Sequence, residues 1–301
     1  MNIQIPVTVS VITYNSSKFV LETLESIKAQ TYQPLILQIC DDCSTDNTVK
    51  ICKKWIEENK DRFIKTKVII PDHNTGISAN INRGMDACET EWFKGIAGDD
   101  ILKPECIETY VQYVIEHPNV CIIFSRMEEF CSSCKIENPL SNDYDSLVSD
   151  LSPKEWHDIL VTKGNQVPAP TSFINIERLR EFQIKADERI PLLDDYPLWI
   201  NLAKKGIKFH FINKVLVRYR VGSGGLSSGG NISINYRKSL RLFYFYYLFP
   251  EKYRENPEKE INDIVKFELD VLQDMQSIQN SPSFKLGEVL LRPIKWLLGI
   301  K

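Results

Sequence analysis

Five short apolar runs punctuate the first 125 residues, and a stretch with helical periodicity separates each from the next. Val7 to Thr13 is β-branched and apolar, as a buried strand requires. Pro34 to Cys40, Thr66 to Ile70, Trp92 to Ala97 and Val120 to Phe124 follow in the same style. Asn15-Ser16-Ser17 offers helix caps before an amphipathic run to about Gln30, and Asp46-Asn47-Thr48 caps a second run through Trp55. Gly76 to Cys88 reads as a third helix. A fourth opens near Lys103-Pro104, where proline suits the first turn. Strands alternating with helices at this spacing imply an α/β domain with a Rossmann-like, mostly parallel sheet flanked by helices.

The alternation then stops. Residues from about Cys131 to Asp150 are polar and turn-rich. Trp156 to Val161 reads as helix, and Thr171 to Ile176 as a strand near the sheet edge. Asp194 to Lys205 is helical and ends at Gly206, and Ile207 to Ile212 and Val215 to Arg220 read as two strands. Five of the chain's 13 glycines fall between Gly222 and Gly230, which marks a hinge or lid and a boundary. The expected organisation is one domain over 1–225, in two halves (1–125 and 126–225). A helical C-terminal extension over 226–301 would follow.

Composition narrows the partners. With 37 basic and 40 acidic residues the net charge is −3, which gives no electrostatic footprint for nucleic acid. The N-terminus lacks a signal-peptide pattern, and no run approaches the length of a spanning helix. The expected location is the cytoplasm. The eight cysteines would then stay reduced, and Cys131-x-x-Cys134 and Cys40-x-x-Cys43 lack the paired spacing of a zinc ribbon. His73, His117, His157 and His210 show no ligand spacing.

Two acidic stations close strands: Asp41-Asp42-Cys43-Ser44-Thr45-Asp46 and Gly98-Asp99-Asp100. Asp194-Asp195 lies downstream. Carboxylates at buried strand ends are costly unless they bind something, and ligands of open α/β sheets sit at that end. A metal-diphosphate site with a separate base fits this pattern. In sequence order, Val9 to Asn15, Asp41 to Thr48, Asn74-x-Gly76 with Asn82-x-Gly84, Gly98-Asp99-Asp100 and Asp194-Asp195-x-x-Leu198-Trp199 resemble the family 2 glycosyltransferases. The resemblance covers about residues 6 to 222.

It implies a GT-A fold and inverting transfer from a nucleotide-diphosphate sugar, with a UDP-sugar first among donors. Asp100 would be the direct ligand of Mn²⁺ or Mg²⁺, and Asp99 would contact the ribose or donor sugar. Asp42 would accept a hydrogen bond from the base. Thr13, Tyr14 and Asn15, with Asn74 and Gly76, would line the nucleotide. Asp195 would be the general base for the acceptor hydroxyl, and Arg220 could reach the diphosphate. Each residue also has a plainer reading. Asp99-Asp100 could cap a helix, Asp42 and Ser44 could form a turn, and Tyr14 could be core packing. Asp194-Asp195 could charge a helix N-terminus, and Arg220 could sit in a surface salt bridge. Trp199 is expected to pack under its helix.

The chain departs from the family pattern at Ala97, where another acidic residue is common, and at Ile81, which replaces an arginine. The histidine often found shortly after the Val217 to Arg220 segment is missing too. A non-catalytic nucleotide-sugar-binding subunit and a nucleotidyltransferase are the alternatives. The second would need a Gly-rich basic loop that Thr13 to Lys18 does not supply, and no G-x-G-x-x-G follows the first strand. Residues 284–301 mix apolar residues, Trp296 and lysines, which suits either a membrane interface or a docked helix. The first reading would fit a polyprenyl-diphosphate-linked acceptor in surface polysaccharide assembly, on the inner face of the membrane. Phe243 to Tyr247 is more aromatic than one helix needs and suggests a homodimer interface.

Overall fold

The computed structural model describes residues 4–131, 150–222 and 233–252, with isolated positions beyond. It separates residues 1–247 from 248–301, and the sheet belongs to the first unit. The proposed lid (223–230) and most of the C-terminal extension beyond residue 252, including nearly all of 284–301, lie outside the described residues.

The strands are β1 (Val7–Thr13), β2 (Leu35–Asp41), β3 (Lys65–Ile69), β4 (Trp92–Ala97), β5 (Ile101–Leu102), β6 (Ile122–Phe130), β7 (Phe173–Asn175) and β8 (Phe209–Arg220). The helices are α1 (Val20–Lys28), α2 (Thr48–Asn59), α3 (Ile77–Asp86), α4 (Cys106–Glu116), α5 (Pro153–Lys163), α6 (Ile176–Phe182), α7 (Asp195–Lys204) and α8 (Ile234–Phe243). One eight-stranded sheet runs β3-β2-β1-β4-β7-β6-β8-β5. Its first four strands are parallel, as the alternation requires.

Val7, Val9 and Val11 of β1 are completely buried, together with Leu37 and Ile39 of β2. Each contributes about 1.5–3 kcal/mol relative to an exposed side chain, which makes β1 and β2 the rigid floor of the domain. The order reverses direction at β1, between β2 and β4, and there the carboxyl ends open a crevice. Register places Thr13 opposite Asp41 and Ile12 opposite Ala97, so the two acidic stations end side by side.

Three elements differ from the sequence expectation. The 171–176 segment is not at an edge: β7 sits inside the sheet, antiparallel to both β4 and β6. Phe173 stacks at 4.9 Å on Trp92 and at 4.9 Å on Tyr110, and this aromatic column holds the three-residue strand in the interior. The two strands read over 207–220 are one, β8, because irregular register against β6 absorbs the polar Asn213-Lys214 pair. Cys131 is disulfide-bonded rather than reduced. It lies where the chain leaves the sheet, whereas the buried thiols Cys40, Cys52, Cys88, Cys106 and Cys121 are free and embedded in packing.

Part of the aromatic run is used within the unit. Phe243 packs 4.3 Å from Tyr196, and Tyr247 O–H donates to Asp187 at 3.0 Å, while Phe245 and Tyr246 stay exposed. His117 and His210 meet beside Tyr113, whose hydroxyl is 3.1 Å from His210 Nδ1.

Candidate active site

The crevice begins at the end of β1. Thr13 O–H donates to Asp41 Oδ2 at 2.9 Å, and Asp41 also accepts from Ser44 N–H at 2.8 Å and from its hydroxyl. Asp41 is therefore a buried turn organiser. Asn15, at φ 52°, accepts from Thr45 N–H at 2.9 Å and so ties the β1 loop to the β2 loop. Tyr14, between them, is 50% exposed, which removes the core-packing reading and leaves its ring open to a planar ligand.

Asp42 is 2% exposed and already saturated. It accepts from Thr75 N–H (3.0 Å), Thr75 O–H (2.7 Å), Gly76 N–H (2.7 Å) and Arg83 Nη2 (2.6 Å). Asn74 Nδ2 donates to the Asp42 carbonyl at 3.2 Å. A carboxylate at a buried strand end takes the nearest donors, and here α3 and the loop before it supply them. Arg83, one of these donors, is the unspecified residue of Asn82-x-Gly84 and lies two residues after Ile81. The helical spacing from Asn80 to Arg83, whose side chains meet at 3.0 Å, was the available signal. A cleft of about 500 Å³ opens beside this cluster, lined by His73, Asn74, Thr75, Arg83 and Glu188 among others.

At the end of β4, a Cβ on Gly98 would lie 2.7 Å from Thr13 Cγ2, so only glycine lets the Asp99-Asp100 turn approach β1 this closely. Asp99 is half-buried, whereas Asp100 is 1% exposed. Asp100 Oδ1 accepts the Arg220 N–H at 2.9 Å, and Oδ2 is buried without a partner. Burial, then the neighbouring Asp99, pushes the Asp100 carboxyl up to about 8. The pair is thus unequal in burial, and the unpartnered oxygen belongs to Asp100.

Arg220 is 2% exposed and committed. Nε donates to the Asp99 carbonyl at 2.7 Å, Nη2 pairs with Glu22 at 2.8 Å, and the guanidinium lies 4.4 Å from Phe19 and 4.3 Å from Phe130. The expected salt bridge is present, with Glu22 as its partner, but the guanidinium end of it is buried. Arg220 clamps the acidic turn from beneath.

The third acidic pair opens α7. Gly76, at φ +90°, packs so closely that a Cβ would lie 2.6 Å from the Pro191 carbonyl. Ser78 O–H donates to Ile190 O at 2.7 Å, and Asn82 bonds both backbone groups of Ala186 at 3.0 Å. These contacts join the 186–195 segment to α3, beside the nucleotide loops. Burial raises both Asp194 and Asp195 above the ordinary carboxylate range, and the adjacent Asp195 charge raises Asp194 further. Asp195 Oδ2 accepts from Asn165 Nδ2 at 2.8 Å, a partner that the sequence did not single out. Trp199 is buried and stands edge-on to Phe124 at 5.1 Å, as expected for packing.

Residues 8–187 match the sequence profile of glycosyl transferase family 2. The chain belongs to that family. An uncharacterized glycosyltransferase of Haemophilus influenzae is 26% identical over 247 residues, covering 80% of this chain and 74% of its own. The putative teichuronic acid biosynthesis glycosyltransferase TuaG of Bacillus subtilis is 25% identical over 222 residues, covering 73% and 81%. Among solved structures, S. aureus TarS 1-349 in complex with UDP-GlcNAc superposes with TM-score 0.61 at 20% identity, covering 80% of this chain and 66% of that one. The mannosyltransferase PcManGT of Pyrobaculum calidifontis, in complex with GDP-Man and Mn²⁺, gives 0.56 at 14% identity, covering 100% and 89%. The present chain spans 39% of the longer S. aureus TarS chain. These likenesses establish the GT-A fold for the family 2 chain. Among its described residues, no helix is long and apolar enough to cross a membrane.

Proposed function

We propose that this family 2 protein transfers a sugar from a nucleotide-diphosphate sugar to a hydroxyl of a glycan or lipid-linked acceptor, with inversion. The observation that carries the reading is the placement of Asp195. It is a carboxylate of raised pKa at the start of α7, stitched through Pro191 and Ala186 to the nucleotide loops at the switch point of the sheet. The acceptor oxygen attacks the anomeric carbon, the bond to the diphosphate breaks with its electron pair leaving on that group, and Asp195 takes the hydroxyl proton. A carboxylate held above its usual range is matched to this task near neutral pH.

The Asp99-Asp100 turn supplies hard oxygen donors, and the unpartnered Asp100 Oδ2 is an oxygen that lacks a positive partner. These residues fit Mn²⁺ or Mg²⁺. No group of three or more metal-binding side chains occurs among the described residues, so diphosphate oxygens and water would complete the shell. Asp100 would be its direct ligand through that unpartnered oxygen, and Asp99, the more exposed of the two, would contact the ribose or donor sugar. When bound, the ion would neutralise charge on the leaving diphosphate. Tyr14 would stack on the base, and Asn74 and Gly76 shape the loop beside it. A UDP-sugar is the first donor to test, because UDP-GlcNAc occupies the related TarS site. The relation to TuaG supports a role in surface polysaccharide assembly.

A screen of UDP-, dTDP- and GDP-sugars, with and without Mn²⁺, tests this reading by thermal shift and donor hydrolysis. One donor class should stabilise the protein only when metal is present. The absence of any shift would point to the non-catalytic alternative, a partner subunit that retains the fold.

A further inference from the structure

The loop between α5 and β7 carries no residue of the family motifs, yet it reaches the base. Gly164 ends α5 at φ +96°, and Asn165 follows on the surface. Two bonds fix its amide. Val167 N–H donates to Asn165 Oδ1 at 3.1 Å, and Asn165 Nδ2 donates to Asp195 Oδ2 at 2.8 Å. The Val167 bond decides which end of the amide faces the carboxylate, since a flipped amide would turn its NH₂ toward a donor and its oxygen toward an anion.

The loop is also anchored from within. Val167 and Pro168 are buried, and Thr171 O–H donates to the Pro168 carbonyl at 2.8 Å. Lys94, completely buried in β4, donates to the Pro170 carbonyl at 2.6 Å. An exposed asparagine is thus delivered to Asp195 by a loop pinned to the core.

We propose that Asn165 is a positioning residue for the acceptor-activating base: its amide orients Asp195 and favours the charged form. The inference rests on the reading of Asp195 as that base. An amide N–H can donate to a carboxylate but cannot accept from an acid, so the bond stabilises the anion selectively.

The groups around Asp195 oppose this effect. Asp194 adds a like charge from the same helix turn. Tyr236 of α8 and Tyr196 of α7 both feel the Asp195 charge, and both are held neutral, with their own pKa values raised chiefly by burial. Among the described residues, no cation contributes to the Asp195 shift; the Tyr196 backbone N–H lowers it first, and the Asn165 amide is the side chain that adds to this.

The experiment is a carbon-13 carboxyl NMR titration of the full chain, with the Asp195 signal identified by its loss in Asp195→Asn. Asn165→Ala should raise the Asp195 midpoint by about one pH unit. Asn165→Asp should raise it further, and Asn165→Gln, which keeps an amide, should raise it less than Ala. Donor hydrolysis, assayed by nucleotide release from UDP-N-acetylglucosamine, UDP-glucose and GDP-mannose, should fall about tenfold below the midpoint and little well above it. An Asp195 midpoint unchanged in a folded Asn165→Ala protein would overturn the inference. Wild-type turnover in Asp195→Asn would instead sink the base assignment, so the two failures are distinguishable.

Discussion

Asn82 and Ala186, 104 residues apart in sequence, hold each other by two hydrogen bonds of 3.0 Å. The asparagine amide donates to the Ala186 carbonyl and accepts its N–H, as a backbone strand would. Its Nδ2 also reaches Glu188 at 2.8 Å. This side chain joins the nucleotide loops to the segment that carries Asp195. Asn82→Ala leaves a buried N–H and carbonyl unpaired, at about 1–3 kcal/mol each. The denaturation midpoint should fall accordingly, and turnover should fall more than donor affinity. A midpoint within experimental error of wild type would dismiss the clamp.

Gly76 is the second joint. Alanine there meets both a φ of +90° and the Pro191 carbonyl at 2.6 Å. Gly76→Ala is expected to destabilise the protein by roughly 1–3 kcal/mol and to weaken donor binding, because relief requires the 74–76 loop to move. Urea unfolding and calorimetric titration with the donor found in the screen read the two effects separately.

Asp42 and Arg83 are unequal partners. Arg83→Met removes one donor of several, and Asp42 keeps Thr75 and Gly76. Asp42→Ala removes the acceptor for two backbone N–H groups at once. Asp42→Ala should therefore cost more stability than Arg83→Met, with about 1–3 kcal/mol for each buried group orphaned. Thermal melts of the two variants give the ranking, and the reverse order would show that the arginine rather than the carboxylate organises the loop.

The acid limb of the reaction carries a sign. As the proposed base, Asp195 would work as carboxylate, and its pKa is raised, so activity should be lost as pH falls through that elevated value. Asp194→Asn removes the adjacent negative charge, which lowers the Asp195 pKa and moves the limb to lower pH. This shift is opposite to that expected of Asn165→Ala. The kcat/KM profile in acceptor-saturated assays, or the hydrolysis profile without acceptor, distinguishes the two directions.

Metal dependence should follow the unpartnered carboxylate. Asp100→Asn is expected to abolish the Mn²⁺-dependent donor shift. Ala97→Asp adds an acid next to the turn and should tighten the ion by several-fold. Isothermal titration with Mn²⁺ in the presence of nucleoside diphosphate measures both. Retained metal response in Asp100→Asn would pass the direct ligand role to Asp99.

The parallel half of the sheet was legible because strand and helix signals are local. Val7 to Thr13 alternates with nothing and stays buried on both faces, and caps such as Asp46 sit within two residues of what they cap. Phe173 to Asn175 was misplaced at an edge because three residues carry no periodicity. Only the Trp92–Phe173–Tyr110 column shows why they lie inside. Arg220 looked available because nothing nearby in sequence opposes it. Its partners Glu22 and Asp99 stand 198 and 121 residues away.

What the sequence by itself determined is the order of elements, the strand ends that carry acids, and the acidic pair at the start of α7. These depend on apolar period and turn chemistry over a few residues, which any chain segment expresses on its own. Only the tertiary structure decided which polar groups are spent and which face the crevice. Asp42 is closed by Arg83 and Thr75, Arg220 is buried beneath Asp99, and Asn165 is brought to Asp195. A hydrogen bond between distant residues exists only once packing has set both ends within 3 Å, and no local pattern encodes that distance.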